Sequence, residues 1–426
     1  MMKGYESYRE SGVEWIGKIP QHWGLTKVKH LAEVLNGFAF KSQLFDNEVG
    51  FPILRIRDIT SGIVNTYYKG EYSEQYLVNP DDLLIGMDGD FNVRWWDSVQ
   101  ALLNQRCCRI IENEKADRRY LYYYLPIVLQ RINDLTYFTT VKHLSSGDIY
   151  NSLIPLIELK EQIKIAQFLD HQTGLIDAII KKKEQIIAKL KEQRQAIINE
   201  AVTKGLDPNA KMKDSGVKWL GEIPEAWEPK RLKFIFSIEK RISGELGYDV
   251  LSVTQYGLKV KDLTNYKGQF SMNYSKYQIV NEGDFVMNHM DLLTGYVDIS
   301  KQLGVTSPDY RVFELIDKNC NPKYFLYLCQ MCYKEKIFYA HGQGVSQLGR
   351  WRLQAKEFKN MTFPFPSYEE QSEIVKYIDS KIELIDKLLT ETNKSLLKLK
   401  SYRQSLISEV VTGKIDVREW EPNSIL

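Results

Sequence analysis

The stretch SGVEWIGKIPQHW, from Ser11 to Trp23, occurs a second time as SGVKWLGEIPEAW, from Ser215 to Trp227. Eight of the thirteen positions are identical, and the second copy follows the first by 204 residues. Agreement at this level over an uninterrupted stretch indicates a repeated structural unit. The chain is therefore expected to consist of two related halves.

A second repeated segment closes each half. The first copy, PLIELKEQIKIAQFLD, begins at Pro155 and is followed later by EQRQAIINEAVTKGLD. The second copy, PFPSYEEQSEIVKYID, begins at Pro364 and is followed later by SYRQSLISEVVTGKID. The interiors between the shared segments, about 24–154 and 228–363, align poorly with each other, although VNPDDLLI at Val78 resembles VNEGDFVM at Val280. A common frame thus carries two unlike inserts.

Two long helices are predicted in the frame, over residues 160–203 and 369–412, which contain no proline and only one glycine, Gly174. Apolar residues recur in alternating steps of four and three, the heptad spacing of a coiled coil. The seam has the same positions in both copies, 209 residues apart. Its members are Ile176, Ile180, Ile187, Leu190, Ile197, Ile385, Leu389, Leu396, Leu399 and Leu406.

The ends of these helices have the expected signals. Ser367 and Glu370 form an S-x-x-E capping box at the start of the second helix. Gly205 and Gly413 follow the last turns, where a left-handed residue commonly ends a helix. A single apolar stripe usually packs onto a globular core. Two matching seams in one chain instead favour packing of the helices on each other, as an intramolecular coiled coil.

The inserts are predicted to be α+β domains. Each combines runs rich in β-branched and aromatic residues with Gly, Asn and Asp turns and with two or three helical stretches. The predicted strand runs are FPILRIRDI (51–59), GIVNTYY (62–68), YDVLSVTQY (248–256) and RVFELI (311–316).

Several polar clusters in the inserts have the residue types that bind DNA. Arg, Asn and Gln make paired hydrogen bonds to base edges, and Lys and Arg hold phosphates. Basic and aromatic residues are also common on any protein surface. For each residue taken singly, the alternative is therefore an ordinary surface residue that does not contact DNA. The candidates are Lys41, Arg55, Arg57, Arg94, Gln105, Arg106, Lys142, His143, Lys259, Lys261, His289, Gln343, Gln347, Arg350 and Arg352.

Composition narrows the protein class. The chain has 426 residues, more than one typical domain, and its 57 basic and 55 acidic residues leave a net charge of only +2. Binding to DNA would therefore need local positive surface or basic partners. The N-terminal segment is polar and no apolar run is long enough to span a bilayer, so a cytosolic protein is expected.

The five cysteines favour neither disulfides nor a metal site. Their number is odd in a chain without a secretory signal. Cys329 and Cys332 form a C-x-x-C, but a zinc site would need two further ligands at suitable spacing, and no second C-x-x-C exists. Because KYFLYLCQMCYKEKIF reads as an amphipathic helix, buried thiols are the favoured interpretation over metal binding.

Catalytic motifs are missing from the sequence. GVEWIGKI at Gly12 resembles a phosphate-binding loop, but Ile19 stands where Ser or Thr would hold magnesium, and Glu222 replaces Lys18 in the second copy. Pro308-Asp309 with Glu314 resembles a nuclease pattern whose lysine position holds Ile316. No GxGxxG, GxSxG or aminomethyltransferase loop is found. The chain is therefore expected to have no active site and no cofactor of its own.

The layout resembles the specificity subunit (HsdS) of type I restriction-modification enzymes. The repeated SGVEWIGKIPQHW segment, the P-x-x-x-x-x-E-Q helix entries and the helix ends RQAIINEAVTKGLD and RQSLISEVVTGKID carry this resemblance over nearly the whole chain. It implies two target-recognition domains, each reading half of a split DNA site, with the helices as spacer. It also implies two modification subunits that methylate adenine from S-adenosylmethionine, with two ATP- and Mg-dependent restriction subunits as further candidate partners.

A split site on duplex DNA has halves related by an approximate dyad, and this symmetry predicts that the two helices run antiparallel. The expected division is 1–154 and 211–363 for the recognition domains, and 155–210 and 364–426 for the helices. The alternative function is a two-domain coiled-coil scaffold that never touches DNA.

Overall fold

The computed structural model describes residues 3–135, 142–261, 274–344 and 351–422. The chain divides into two compact units. The first contains residues 1–184 and 394–426, and the second contains residues 185–393. Each unit therefore takes in one insert together with a part of each long helix.

The first unit is built from a mixed set of strands and helices. Its strands are β1 (Tyr8–Glu10), β2 (Lys18–Pro20), β3 (Gly24–Lys27), β4 (Ala32–Asn36), β5 (Phe45–Asp46), β6 (Phe51–Leu54), β7 (Tyr67–Tyr68), β8 (Leu77–Val78), β9 (Leu83–Gly86), β10 (Val93–Trp95), β11 (Ala101–Leu103), β12 (Cys107–Glu112) and β13 (Leu153–Leu156). Its insert helices are α1 (Ile56–Ser61), α2 (Arg118–Leu135) and α3 (Ser146–Asn151).

An antiparallel sheet of order β10-β9-β12-β4 organises this unit. Side chains along a strand alternate between the two faces of the sheet. Leu83 and Ile85 accordingly join the main core with α2, whereas Leu84 joins a second cluster on the opposite face with Leu54 and Trp96. The antiparallel pair β3–β13 brings the two ends of the insert side by side.

After α4 (Leu159–Lys204), the second unit repeats this plan. Its strands are β14 (Met212–Asp214), β15 (Glu222–Pro224), β16 (Glu228–Arg231), β17 (Phe236–Glu239), β18 (Leu251–Thr254), β19 (Gly257–Val260), β20 (Gln278–Val280), β21 (Phe285–Met287), β22 (Val297–Ile299), β23 (Gly304–Thr306), β24 (Arg311–Leu315) and β25 (Thr362–Phe365). Its helices are α5 (Pro322–Lys334), α6 (Ile337–Ala340), α7 (Ala355–Asn360) and α8 (Tyr368–Val411).

The two unlike inserts share one sheet topology. The order β22-β21-β24-β17 in the second unit corresponds strand for strand to β10-β9-β12-β4 in the first. The resemblance between VNPDDLLI and VNEGDFVM falls on the turn before β9 and β21. Asp82 there accepts from the backbone N–H of Asn79 at 2.8 Å, and Asp284 accepts from that of Asn281 at 2.7 Å. The two fragments resemble each other because both form the same turn, closed by an aspartate side chain.

Both long helices are close to their predicted bounds. α4 has 46 residues and α8 has 44. The Ser367 hydroxyl accepts from the Glu370 backbone N–H at 3.2 Å, as a helix cap should. Gly205 and Gly413 have φ values of 78° and 75°, the left-handed conformation in which a helix ends without the strain of a Cβ.

The helices run antiparallel to each other within each unit. In the first unit, Arg403 forms a two-bond ion pair with Asp177 at 2.8 and 3.1 Å, and Lys400 contacts Glu184 at 3.0 Å. Residue numbers therefore increase along α4 in the direction in which they decrease along α8. In the second unit, Arg194 lies 3.4 Å from Asp386, and the cluster around Ile198 on α4 includes residues as early as Ile374 on α8.

Positions 183, 392, 194 and 403 interrupt the apolar seam with polar residues. Arg194 and Arg403 are equivalent in the two copies, as are Asp177 and Asp386, so each copy of the arginine meets the other copy's aspartate. Every apolar seam residue is buried or half-buried. The α+β fold class with long antiparallel helices and an internal repeat is thus confirmed.

A buried glutamine ties each insert to its long helix. Gln162 accepts from the backbone N–H of Asp117 at 3.0 Å and donates to the carbonyls of Lys115 and Ile157. Gln371 makes the same three bonds, accepting from Asn321 and donating to two carbonyls. In both copies of the E-Q repeat, the glutamine side chain is fully buried and its three bonds hold the loop to the helix.

Replacing Gln162 with Leu should destabilise the first unit by about 2 kcal/mol, because it removes the bonds to one buried carbonyl and to a part-buried N–H and carbonyl. Urea denaturation of the full chain measures this loss. Gln130→Leu is the matched control, since Gln130 is exposed and its amide donates to the exposed Asp134 one turn later on the same helix. Equal stability of the two variants would show that the buried bonds contribute nothing.

Two local predictions are corrected or refined by the structure. The run FPILRIRDI is a strand only as far as Leu54, and Ile56 begins α1. The Asp58 carboxylate accepts from the Arg55 backbone N–H at 2.8 Å, a capping contact that favours a helix over continued strand. In GIVNTYY only Tyr67–Tyr68 is strand. Cys329 and Cys332 are buried on α5, as the amphipathic pattern predicts.

Candidate nucleic-acid interface

Two of the DNA-binding candidates in the first unit, Arg106 and His143, meet at one corner of the central sheet. Arg106 lies in the turn between β11 and β12, with φ of 70°. Lys142 and His143 lie just before α3, and His143 pairs as a β-bridge with Asp88, shortly after β9. The sheet therefore brings together residues that are far apart in the sequence.

Asp88 holds this corner together. Its carboxylate lies 2.7 Å from His143 Nδ1 and 3.6 Å from Arg106 Nε. The side chains of Arg106 and His143 are both exposed. They border a cleft of about 270 Å³ whose other lining residues include Asn36, Gly37 and two serines. The corner is thus an exposed cleft in which Asp88 holds two hydrogen-bonding side chains, those of Arg106 and His143, in place.

The chemistry of the pair suits base edges. When Nδ1–H of His143 donates to Asp88, Nε2 is an acceptor for an exocyclic amine such as that of adenine or cytosine. The Arg106 guanidinium offers donors to guanine O6 and N7 or to a phosphate. Asp88 orients both groups and leaves their outward nitrogens for a ligand.

The remaining candidates of the first unit lie elsewhere. Lys142 donates to the Asn133 carbonyl at the end of α2. Arg55 and Arg57 lie at α1, where Arg57 Nη2 donates to Thr66 Oγ1 at 2.9 Å. Arg94 is close to the same helix, since its guanidinium covers Gly62. The structure thus forms a second basic group at α1. Lys41 and Gln105 are exposed and join neither group.

The second unit brings its own candidates to the equivalent corner. His289 follows β21 as Met87 follows β9, and its carbonyl accepts from the Leu353 N–H as that of Met87 does from Leu144. Gln343 and Arg352 form a β-bridge beside it. Arg352 stands where His143 stands in the first unit. Two further candidates of this stretch, Gln347 and Arg350, lie outside the described residues.

A hairpin of β18 and β19 carries the remaining candidates. Lys259 Nζ lies 5.7 Å from the ring centre of Tyr256 at the hairpin tip, and Lys261 follows the hairpin. The hairpin is anchored by Asp298, which accepts from the Leu258 N–H at 2.8 Å. This exposed aromatic ring beside lysines was missed in the sequence.

Two charged residues of the corners were also missed. Asp88 was not singled out because a carboxylate repels DNA phosphates, yet here it orients two donors. Arg311 opens β24 and is 5% exposed. The burial of Arg311 could have been predicted from the sequence, because side chains alternate along a strand and Arg311 therefore shares a face with Phe313 in the core.

These features define an internally duplicated protein with one candidate nucleic-acid-binding corner in each half. A family model described as the type I restriction modification DNA specificity domain matches residues 20–191 and again residues 217–398. The chain belongs to this family. It is a DNA-specificity subunit rather than an enzyme, and the family match supports this function over the scaffold alternative.

The chain is similar over nearly its whole length to curated specificity subunits. It is 31% identical to the type I restriction enzyme EcoBI specificity subunit of Escherichia coli, covering 95% of this chain and 89% of that one. It is 23% identical to the MjaVIII specificity subunit of Methanocaldococcus jannaschii, covering 94% and 95%.

Two solved structures share the fold at 15% identity. One belongs to work on complex assembly and conformational transition of a type I R-M system, with a TM-score of 0.67 and coverage of 93% of this chain and 99% of that chain. The other is the HsdS subunit from Thermoanaerobacter tengcongensis, with a TM-score of 0.51 and coverage of 95% and 100%. Among the described residues, no helix is long and apolar enough to cross a bilayer.

Proposed function

We propose that each unit reads one half of a split DNA sequence and that the chain directs modification subunits to that sequence. The observation that carries the proposal is the repeated frame with two unlike inserts, each of which places polar candidates at the same corner of the same sheet. A shared frame suits identical partners, and unlike corners suit different half-sites.

The long helices offer matched surfaces for two copies of one partner. Leu175 and Ile179 on α4 are exposed apolar residues in the first unit. Leu384 and Leu388, 209 positions later on α8, are exposed in the second unit. Exposed apolar side chains at repeated positions fit a protein contact better than solvent. Two modification subunits, carrying S-adenosylmethionine, are the proposed occupants, and ATP-dependent restriction subunits would join through them.

Reconstitution tests the function directly. Purified alone, the chain should transfer no methyl group and hydrolyse no ATP. Mixed with its modification subunits and S-adenosylmethionine, it should direct tritiated methyl groups to adenine in one split sequence. The modification subunits without this chain are the control. Methyl transfer by the pure chain, or equal methylation of all sequences by the complex, would contradict the proposal.

Arg106 should contribute to reading by the first unit. Replacing it with Ala removes a donor set that Asp88 positions, so we expect binding of the cognate DNA by the complex to weaken by about 10- to 100-fold. Competition with DNA altered at single base pairs measures the loss. Lys29→Ala is the matched control because Lys29 is exposed in the same unit, is not among the DNA-binding candidates and does not line the cleft. Equal effects of the two changes would mean that Arg106 contributes only non-specific positive charge and reads no base.

A further inference from the structure

Arg311 is a buried cation that forms no ion pair with a described carboxylate. Only 5% of the residue is exposed, and its Nη1 has no hydrogen-bond partner among the described residues. Its Nη2 donates to the Leu353 carbonyl at 2.7 Å, and its guanidinium lies 5.0 Å from the ring centre of Phe358. Burial lowers the pKa of Arg311 to about 10. A neutral carbonyl and a ring only partly offset the cost of burying this charge.

Two other partly buried arginines are paired with carboxylates. Arg241 in the same unit contacts Asp284 and Glu314, each at 2.6 Å. Arg109 on β12, the strand equivalent to β24, lies 3.2 Å from Asp82. Among the described residues, neither Arg311 nor Arg352 has an ion pair with an acid. In the described part of the second unit, these two arginines thus carry positive charge without an ion-pair partner.

Two further groups converge on this charge. The Nδ1 of His289 is buried and has no hydrogen-bond partner in the part of the chain that the structure describes. Burial together with the nearby charges of Arg311 and Arg352 lowers the pKa of His289 to about 3, so the imidazole is neutral. Solvent exposure increases across the three residues: Arg311 is buried, His289 is half-buried and Arg352 is exposed. In the equivalent corner of the first unit, Asp88 supplies the missing negative charge.

We propose that His289, Arg311 and Arg352 form the binding site for one phosphate of the DNA backbone. Arg352 and the outward N–H of His289 contact the phosphate oxygens, and Arg311 stabilises the negative charge from beneath. A full negative charge suits a site whose described arginines have no ion pair with a carboxylate better than the partial charges of base acceptors do. The inference deepens the proposed function, because it rests on DNA binding by the second unit and assigns to Arg311 a role that the sequence did not suggest.

The first measurement uses the full chain and inorganic phosphate as the probe. Phosphate should raise the melting temperature of the unaltered chain relative to chloride at equal ionic strength, because a ligand that binds the folded state stabilises it. Arg311→Met should abolish this increase, while its melting temperature without phosphate stays equal or rises. Arg241→Met is the matched control, which should lose stability but keep the phosphate effect. Absence of any phosphate effect in the unaltered chain would overturn the site.

The second measurement is the salt dependence of DNA binding by the complex with modification subunits. Arg311→Met should weaken binding about tenfold or more and reduce the slope of log affinity against log salt by about 0.9, the value for one phosphate. Arg352→Met, at an exposed position, should reduce the slope equally and provides the test if Arg311→Met does not fold.

Other outcomes overturn the inference. Unchanged DNA affinity with lost stability would make Arg311 a purely structural residue. An unchanged slope with lost discrimination at one base pair would make the cluster a base-reading site. In both cases the complex still binds its DNA, so the proposed function stands. Failure of the unaltered complex to bind DNA would instead contradict the proposed function itself.

Discussion

Exchanging residues 228–363 for the corresponding insert of another specificity subunit should change one half of the methylated sequence and leave the other half intact. The junctions favour such an exchange because β16 and β25 pair antiparallel, with Glu228 opposite Phe365 and Arg231 opposite Thr362. Both ends of the insert therefore lie side by side on the frame. The core beneath contains frame residues that the exchange leaves in place.

The effect should be all or none, since a recognition unit that reads a different half-site redirects every methylation event. Sequencing of methylated adenines in cells carrying the hybrid and the modification subunits gives the result. The matched control exchanges residues 24–154, whose ends are paired in β3 and β13, and should change the other half-site. A hybrid that alters both halves would disprove independent reading.

Lengthening α4 should lengthen the unread gap between the half-sites. The helix begins in the first unit at Leu159 and ends in the second at Lys204. Four residues inserted after Leu190 add about 6 Å of rise and turn the helix about 40° beyond one full turn. Since B-DNA rises about 3.4 Å per step, 6 Å corresponds to nearly two base pairs. The seam is disturbed as by a stutter, so some stability should be lost.

The readout is again the methylated sequence, in which both half-sites should persist around a longer gap. The same four residues inserted after Asn209, in the exposed segment beyond the helix, are the control and should leave the gap unchanged. An active Leu190 variant with the original gap would mean that α4 does not measure distance and that another element positions the two units.

Features set by local periodicity could be predicted from the sequence. The heptad seam, the capping Ser367 and the glycines at 205 and 413 each depend on residues within a few turns of each other. The repeat added the second copy of each. For that reason the helix bounds and the α+β class were predicted closely. The antiparallel direction of the helices was predicted instead from the dyad symmetry of a split DNA site.

Features set by distant contacts could not be predicted. The shared sheet order of the inserts rests on pairings such as β12 with β4, far apart in the chain, and on core positions that different apolar residues fill equally well. The helix at Ile56 depends on a cap by Asp58 inside a run of β-forming residues. Asp88 and His143 are 55 residues apart and became partners only through the bridge beside β9.

The most direct test of two reading units is a map of methylated adenines in a genome that carries this chain with its modification subunits. The account predicts one sequence made of two defined parts, separated by a fixed number of unread base pairs, with one methylated adenine in each part on opposite strands. The same genome without this chain should lack the signal. A single uninterrupted recognition sequence, or methylation that persists without the chain, would contradict the account.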